Sequence, residues 1–184
     1  MKKILLLLAI AVGFASCEGD QGPPGFDGRD GLDGLDGLDA ETALIFETTE
    51  DFTAPDYSVP VNYPNNFELF DTDVVLAYIL FEQASTDDGR TVDVWRALPQ
   101  TIFSDFGDFR YNYDFTIVDA RLFIDGPIST DFNNLTTADL NNQTFRFVIL
   151  PSEVASDPRL DVSDYNSVIN IANLGSADVI QIQN

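Results

Sequence analysis

A glycine recurs at every third position from Gly19 to Gly37, giving the triplets GDQ, GPP, GFD, GRD, GLD, GLD and GLD before Ala40 ends the register. No other feature of the 184-residue chain constrains its fold so tightly. Only glycine fits at the crowded axis of a collagen triple helix, so an unbroken period of three is what that structure demands. The same glycines do not make a dinucleotide site. Their spacing is not G-x-G-x-x-G, no strand precedes them, and no βαβ unit surrounds them. Pro23 and Pro24 are the only prolines of the 21 residues, below the ~15–20% usual in collagen. Six Asp against Arg29 give each strand a charge of −5, so a trimer would carry −15 in a short rod. The segment reads first as a solvated spacer. A homotrimer through this stalk is the alternative, and it would need divalent cations or trimerisation of the following domain to offset the repulsion. Fully extended at about 3.1 Å per residue the stalk reaches roughly 65 Å; as a coil it reaches about 25 Å.

The residues before the stalk have the layout of an export signal. Lys2 and Lys3 precede nine apolar residues, Ile4 to Val12, and Gly13-Phe14-Ala15-Ser16 leads to Cys17. A bilayer core of about 30 Å needs about 20 apolar residues to be crossed, so this run is too short to span it. Small residues directly before a cysteine resemble the bacterial lipobox, in which that cysteine is lipidated and becomes the first mature residue. Cys17 is the single cysteine of the chain. Two or more acyl chains make anchoring stable, each buried methylene contributing about 0.8 kcal/mol. Removing residues 1–16 takes away both lysines and leaves −24 on 168 residues. A body so acidic is repelled by nucleic acid and by an anionic leaflet, so the expected membrane partner is reached through lipid alone.

Composition removes several activities. There is no histidine, hence no Ser-His-Asp triad and no histidine zinc site. One cysteine excludes a disulfide framework and a four-cysteine metal site. A mature chain starting at Cys17 has no lysine, hence no Schiff base and no P-loop lysine.

Residues 41–184 read as an all-β domain, an antiparallel β-sandwich with one C-terminal helix. Val74 to Phe81 (VVLAYILF) is continuously apolar and predicts a central strand buried on both faces. Asp88-Gly89 predicts a hairpin into a strand through Val92, Val94 and Trp95. Phe109, Tyr111, Tyr113 and Phe115 alternate with Asp108, Arg110, Asn112 and Asp114, so that strand has one face in the core and one in water. Further strands are expected at Leu44–Glu47, Phe67–Phe70, Arg121–Ile124, Phe145–Leu150 and Val179–Ile182. Pro60, Pro64, Pro99, Pro127 and Pro151 are expected between strands. Tyr165, Val168, Ile169 and Ala172 fall at helical spacing, with Ser163 as N-cap and Gly175 as C-cap, in a helix covering one end or edge of the sandwich.

Candidate chemistry lies mainly in the carboxylates. There are 24 Asp, 7 Glu and 12 Asn. Turn and cap chemistry accounts for such a bias; calcium, which takes oxygen ligands, is the functional alternative. The clusters that could ligate it are Asp157, Asp161 and Asp164; Asp87 and Asp88; Asp71 and Asp73; and Asp131 with Asn133 and Asn134. None has the D-x-D-x-D-G spacing of an EF-hand loop. A glycoside hydrolase needs two facing carboxylates, for which Glu47, Glu68, Glu82 and Glu153 are available. Trp95 with Tyr57, Tyr63, Tyr111 or Tyr113 could form a sugar-stacking platform, although aromatic residues in strands are more often core. Arg96, Arg110, Arg121 and Arg146 are expected in structural ion pairs.

The lipobox cysteine, the triplets and the segments DVVLAYIL, DVWRALPQT, YNYDFT, RLFIDGP and FRFVILP together resemble the collagen-like lipoproteins of Bacteroidetes-type bacteria. The resemblance implies an outer-membrane location. It also implies that Glu18 and Asp20, close behind the cysteine, act as a surface-export signal. It brings no catalytic residue and no cofactor. The organisation expected is a lipoprotein signal peptide at 1–16, lipidated Cys17 and stalk at 17–40, and a β-domain at 41–184. That domain acts by binding or as structure, not as an enzyme. The alternatives are a calcium-dependent carbohydrate-binding module and a carboxylate-pair hydrolase.

Overall fold

The strands follow from where apolar residues alternate and where they do not. The computed structural model describes residues 42–65 and 67–182, all within the unit Asp39–Asn184; the signal peptide, Cys17 and the stalk lie outside the described residues. Nine strands form in chain order: β1 (Leu44–Glu50), β2 (Ser58–Asn62), β3 (Val74–Ser85), β4 (Thr91–Ala97), β5 (Gln100–Ile102), β6 (Phe109–Phe115), β7 (Asp119–Asp125), β8 (Gln143–Leu150) and β9 (Ile180–Gln181). They make two sheets, ordered β4-β3-β8-β1-β9 and β2-β7-β6-β5. All pairs are antiparallel except β1 with β9, which makes the five-stranded sheet mixed. The expected all-β sandwich is what forms.

The two sheets face each other across one core. Phe145, Phe147 and Ile149 of β8, Val75, Ala77 and Ile79 of β3, and Phe46 of β1 come from the first sheet. Phe109 and Tyr111 of β6, Ala120, Leu122 and Ile124 of β7, and Val61 of β2 come from the second. Odd and even positions of β3 and β8 are both apolar, so the five-stranded sheet needs cover on its other face as well. Ile45, Tyr78, Val148 and Leu150 supply that second apolar surface, and Val168 is buried against them. Val168 belongs to the helix α3 (Tyr165–Ile171), which follows two single turns, α1 (Thr137–Leu140) and α2 (Ser152–Ala155). The helix therefore covers a sheet face rather than an end or edge. Both faces of β3 are buried as its apolar run predicts, up to a bulge between Leu80 and Glu82. There Phe81 turns outward beneath the Arg96 guanidinium, 3.4 Å from the ring centre.

Several local expectations need correction. Phe67–Phe70 is not a strand. Its backbone is bonded into turns instead, Phe67 N to Pro64 O and Phe70 N to an Asp73 carboxylate oxygen. Pro60 lies within β2, which is tolerated because β2 is an edge. The N-cap of α3 is Asp164, whose carboxylate accepts from Asn166 N, and not Ser163. The helix ends at Ala172 and Asn173, with Asn173 in the left-handed region (φ 54) and Leu174 N bonded to Ile169 O. Asparagine takes this place with little strain, and Gly175 instead opens a 3-10 turn, Ser176–Asp178. The Asp88-Gly89 hairpin forms as expected, with Gly89 at φ 81.

Four of the six tyrosines bind the layers together through their hydroxyls. Tyr113 donates to Val75 O across the sandwich, Tyr111 to Asp139 O, Tyr63 to Thr116 O and Tyr78 to Val162 O, at 2.7–2.9 Å. Burial raises the pKa of each, Tyr63 to about 12 with the Asp119 carboxylate adding to the effect. A phenol whose pKa is raised by folding stabilises the fold fully below its unfolded pKa, about 10. That contribution is lost as pH rises past the folded value. Tyrosinate absorbance should therefore show these four silent through pH 10, with Tyr63 ionising near pH 12. Ordinary titration of these four near pH 10 would contradict the burial described.

Candidate functional site

The sheet β2-β7-β6-β5 buries one face and leaves the other open. The outward residues follow from strand alternation: Arg110, Asn112 and Asp114 on β6; Asp119, Arg121, Phe123 and Asp125 on β7; Ser58, Pro60 and Asn62 on β2. Register then fixes a grid. Ser58, Phe123 and Asn112 form one row across three strands, Asp125 and Arg110 the row on one side, and Arg121 and Asp114 the row on the other. The two arginines grip their cross-strand carboxylates with two bonds each. Arg110 Nε and Nη2 donate to Asp125 at 2.9 and 2.7 Å. Arg121 Nε donates to Asp114 Oδ1 at 3.0 Å, and its Nη2 to Asp114 Oδ2. These bonds raise both guanidinium pKa values further above the ordinary. Asn112 is held by its own bonds, its amide oxygen accepting from Tyr113 N. The Arg121 guanidinium sits 5.1 Å from the Phe123 ring centre. Beside Phe123 a shallow depression of about 470 Å³ is lined by Asp56, Ser58, Arg121, Phe123 and Ile124. The face thus offers an aromatic ring surrounded by donors and acceptors whose positions are already fixed.

Trp95 takes part in a different assembly. It lies under α3 on the far face of the other sheet, its ring 5.6 Å from Tyr165 and 4.0 Å from the Arg146 guanidinium. Arg146 also donates to Glu47 Oε2 and to the Tyr165 hydroxyl, both at 2.7 Å. Tyr63, Tyr111 and Tyr113 face the inter-sheet core and Tyr57 packs on Phe132. The platform that Trp95 could form with those tyrosines is therefore not assembled, and the preferred expectation, that these aromatics belong to the core, is what forms. Face parity separates them.

The acidic clusters serve their own turns. Asp157 accepts from Arg159 Nε, Nη2 and N, which hold its carboxyl down at about 2. Asp161 accepts from the Ser163 hydroxyl and N, and these bonds lower its pKa. Asp164 caps α3. Asp88 is bonded by Thr86 and Arg90 and is also lowered; Asp87 is exposed beside it. Asp131 accepts from Asn133 and Asn134. Among the described residues no three acidic, histidine or cysteine side chains converge as a metal site.

The glutamates are dispersed. Glu47 is paired with Arg146, while Glu82 and Glu153 are exposed. Glu68 and Asp73 line a small depression of about 230 Å³ with Thr42, Phe67, Phe70, Ile149 and Pro151. Asp73 Oδ1 there is buried without a hydrogen-bond partner. Asp71 neighbours it in an exposed turn.

The expected ion pairs form for Arg110, Arg121 and Arg146, whereas Arg96 stacks on Phe81. Phe123 and Asp125 belong to no motif in the sequence. The signal for them is the outward set of DARLFID, every second residue of which is polar except Phe123.

Compared with known protein families, curated proteins and solved structures, the chain matches none. Its function therefore rests on the geometry above. Among the described residues no helix is long and apolar enough to cross a membrane.

Proposed function

We propose that the chain is an outer-envelope lipoprotein, anchored by acyl chains on Cys17, that displays a non-enzymatic binding domain on a short Gly-X-Y stalk. The observation that carries the binding part is the open face of the four-stranded sheet. Its ion-paired arginines are 45% and 56% exposed, while the outer face of the other sheet is covered by α3 at Ile45, Tyr78, Val148 and Leu150. Binding in this reading does not rely on calcium, because Asp157, Asp161, Asp88 and Asp164, among the carboxylates that could ligate it, are engaged by Arg159, Ser163, Arg90 and the α3 N-terminus. Hydrolysis is less well supported. The depression holding Glu68 and Asp73 is smaller than the ~300 Å³ at which small-molecule sites begin.

Support for the anchor is the short apolar run ending at the single cysteine. Resemblance to the collagen-like lipoproteins supports display at the cell surface. Cys17→Ser should move the protein from the membrane to the soluble fraction, because a protein of charge −24 has no other attraction to an anionic leaflet. Unchanged membrane association of that variant would defeat the anchoring claim.

A further inference from the structure

We propose that the open face of the four-stranded sheet binds a neutral saccharide, stacked on Phe123 and hydrogen-bonded by the fixed Arg110–Asp125 and Arg121–Asp114 pairs. The inference rests on the reading of this domain as a binding module and names its ligand class and its site.

Dimensions come first. The row Ser58–Phe123–Asn112 crosses three strands and so spans about 10 Å. The rows carrying the two ion pairs lie one pleat repeat to either side, roughly 6–7 Å away. A short oligosaccharide covers an area of that kind. The depression next to Phe123, about 470 Å³, gives a further sugar unit room beside Ser58 and Asp56.

Chemistry narrows the occupant. A pyranose has an apolar C–H face and a rim of hydroxyls, each both donor and acceptor. Phe123 supplies a ring for the first. Guanidinium donors, carboxylate acceptors, the Asn112 amide and the Ser58 hydroxyl supply both kinds of partner for the second. The guanidinium, carboxylate and amide groups are held by bonds they already make, so little of their side-chain freedom is lost when a ligand arrives. Exposed ion pairs of this type add little stability, so their main physical effect is to fix position.

Charge decides against the other classes. Residues 41–184 carry 6 Arg and 24 Asp and Glu, so nucleic acid and polyanions are repelled. On the face itself both arginines are matched by their own carboxylates, and Asp119 and Asp56 remain as further negative charge, which disfavours an anionic ligand. A protein hot spot needs a cluster of apolar anchors in a desolvated pocket, whereas this grid holds one half-buried ring.

The test is a titration of the full chain, in a detergent without a sugar headgroup, with neutral hexasaccharides of glucose, mannose, xylose and galactose followed by calorimetry. At least one should bind saturably. Phe123→Ala should weaken it about tenfold, and Asn112→Ala severalfold. Glu82→Gln, on the other sheet, should leave it unchanged. If Phe123→Ala does not fold, Asn112→Ala decides. A sugar that binds equally well to the folded variants overturns this site and leaves the binding-module reading standing. So does binding of a uronic-acid polymer or a protein with no neutral sugar bound. Failure of every probe overturns the saccharide inference and removes the support that the open face gives to the module.

Discussion

Replacing Phe147 with alanine is expected to cost the domain about 3–5 kcal/mol. Phe147 is fully buried in β8, the middle strand of the five-stranded sheet. Its ring stacks on Phe46 of the neighbouring strand at 5.0 Å, nearly parallel, and meets Tyr113 of the opposite sheet edge-on at 6.2 Å. Alanine removes both contacts and leaves a void that neighbours from three strands cannot close together. A domain of this size has only about 5–15 kcal/mol in total, so the loss is a large part of it. Urea unfolding of wild type and variant measures the difference directly. A change below about 1 kcal/mol would mean that the two sheets do not pack through this residue.

The second large effect is expected at Arg146, and its size follows from burial. The side chains of Arg146 and Glu47 are 15% and 16% exposed. Glu47 lies directly opposite Arg146 across β1 and β8, and its other oxygen accepts from Gln181 at 3.1 Å. Arg146→Ala therefore strands a half-desolvated carboxylate, removes the bond to Tyr165 and empties the space over Trp95. The expected loss is about 3 kcal/mol or more, since breaking a buried pair from one side costs far more than the pair contributes net. The double variant Arg146→Met with Glu47→Leu should recover most of it, because no charge is then left alone. Asp157→Ala makes the contrast. Arg159 is 80% exposed, and solvent screens such a pair, so the loss should be small beside that of Arg146→Ala. A double variant no more stable than Arg146→Ala would show that the stacking, and not the stranded charge, carries the effect.

What the sequence made legible depended on face parity. FRYNYDF alternates strictly, and β6 forms with its apolar side inward at Phe109 and Tyr111. VVLAYILF is apolar at every position, and β3 is buried on both faces. The period of Tyr165, Val168, Ile169 and Ala172 located α3 correctly but not what it covers. Its target is a sheet face made by residues as distant as Ile45 and Val148. β2 was missed because Pro60 reads as an interruption, and only its place at a sheet edge permits it. The sequence does not show which face Trp95 shares, since its ring partner Tyr165 lies on an element whose docking no local pattern shows. Phe123 carries no local signal of its own inside RLFID either. Its neighbours Leu122 and Ile124 are buried, and one residue of parity separates the interior from the open face. The acidic residues, by contrast, behave as composition suggests: Asp131, Asp161 and Asp164 accept from backbone N–H groups two residues on.

The central claim is that packing between two sheets and a helix, and not bound calcium, holds this acidic domain in the form that presents its open face. Thermal unfolding of residues 41–184 by circular dichroism, in chelator and in millimolar calcium, tests it most directly. The account predicts a β-type spectrum and one cooperative transition whose midpoint agrees within about 2 °C between the two conditions, because an ion that does not bind the native state adds nothing to its stability. A disordered spectrum in chelator, or a midpoint that climbs by about 5 °C or more with calcium, would contradict it.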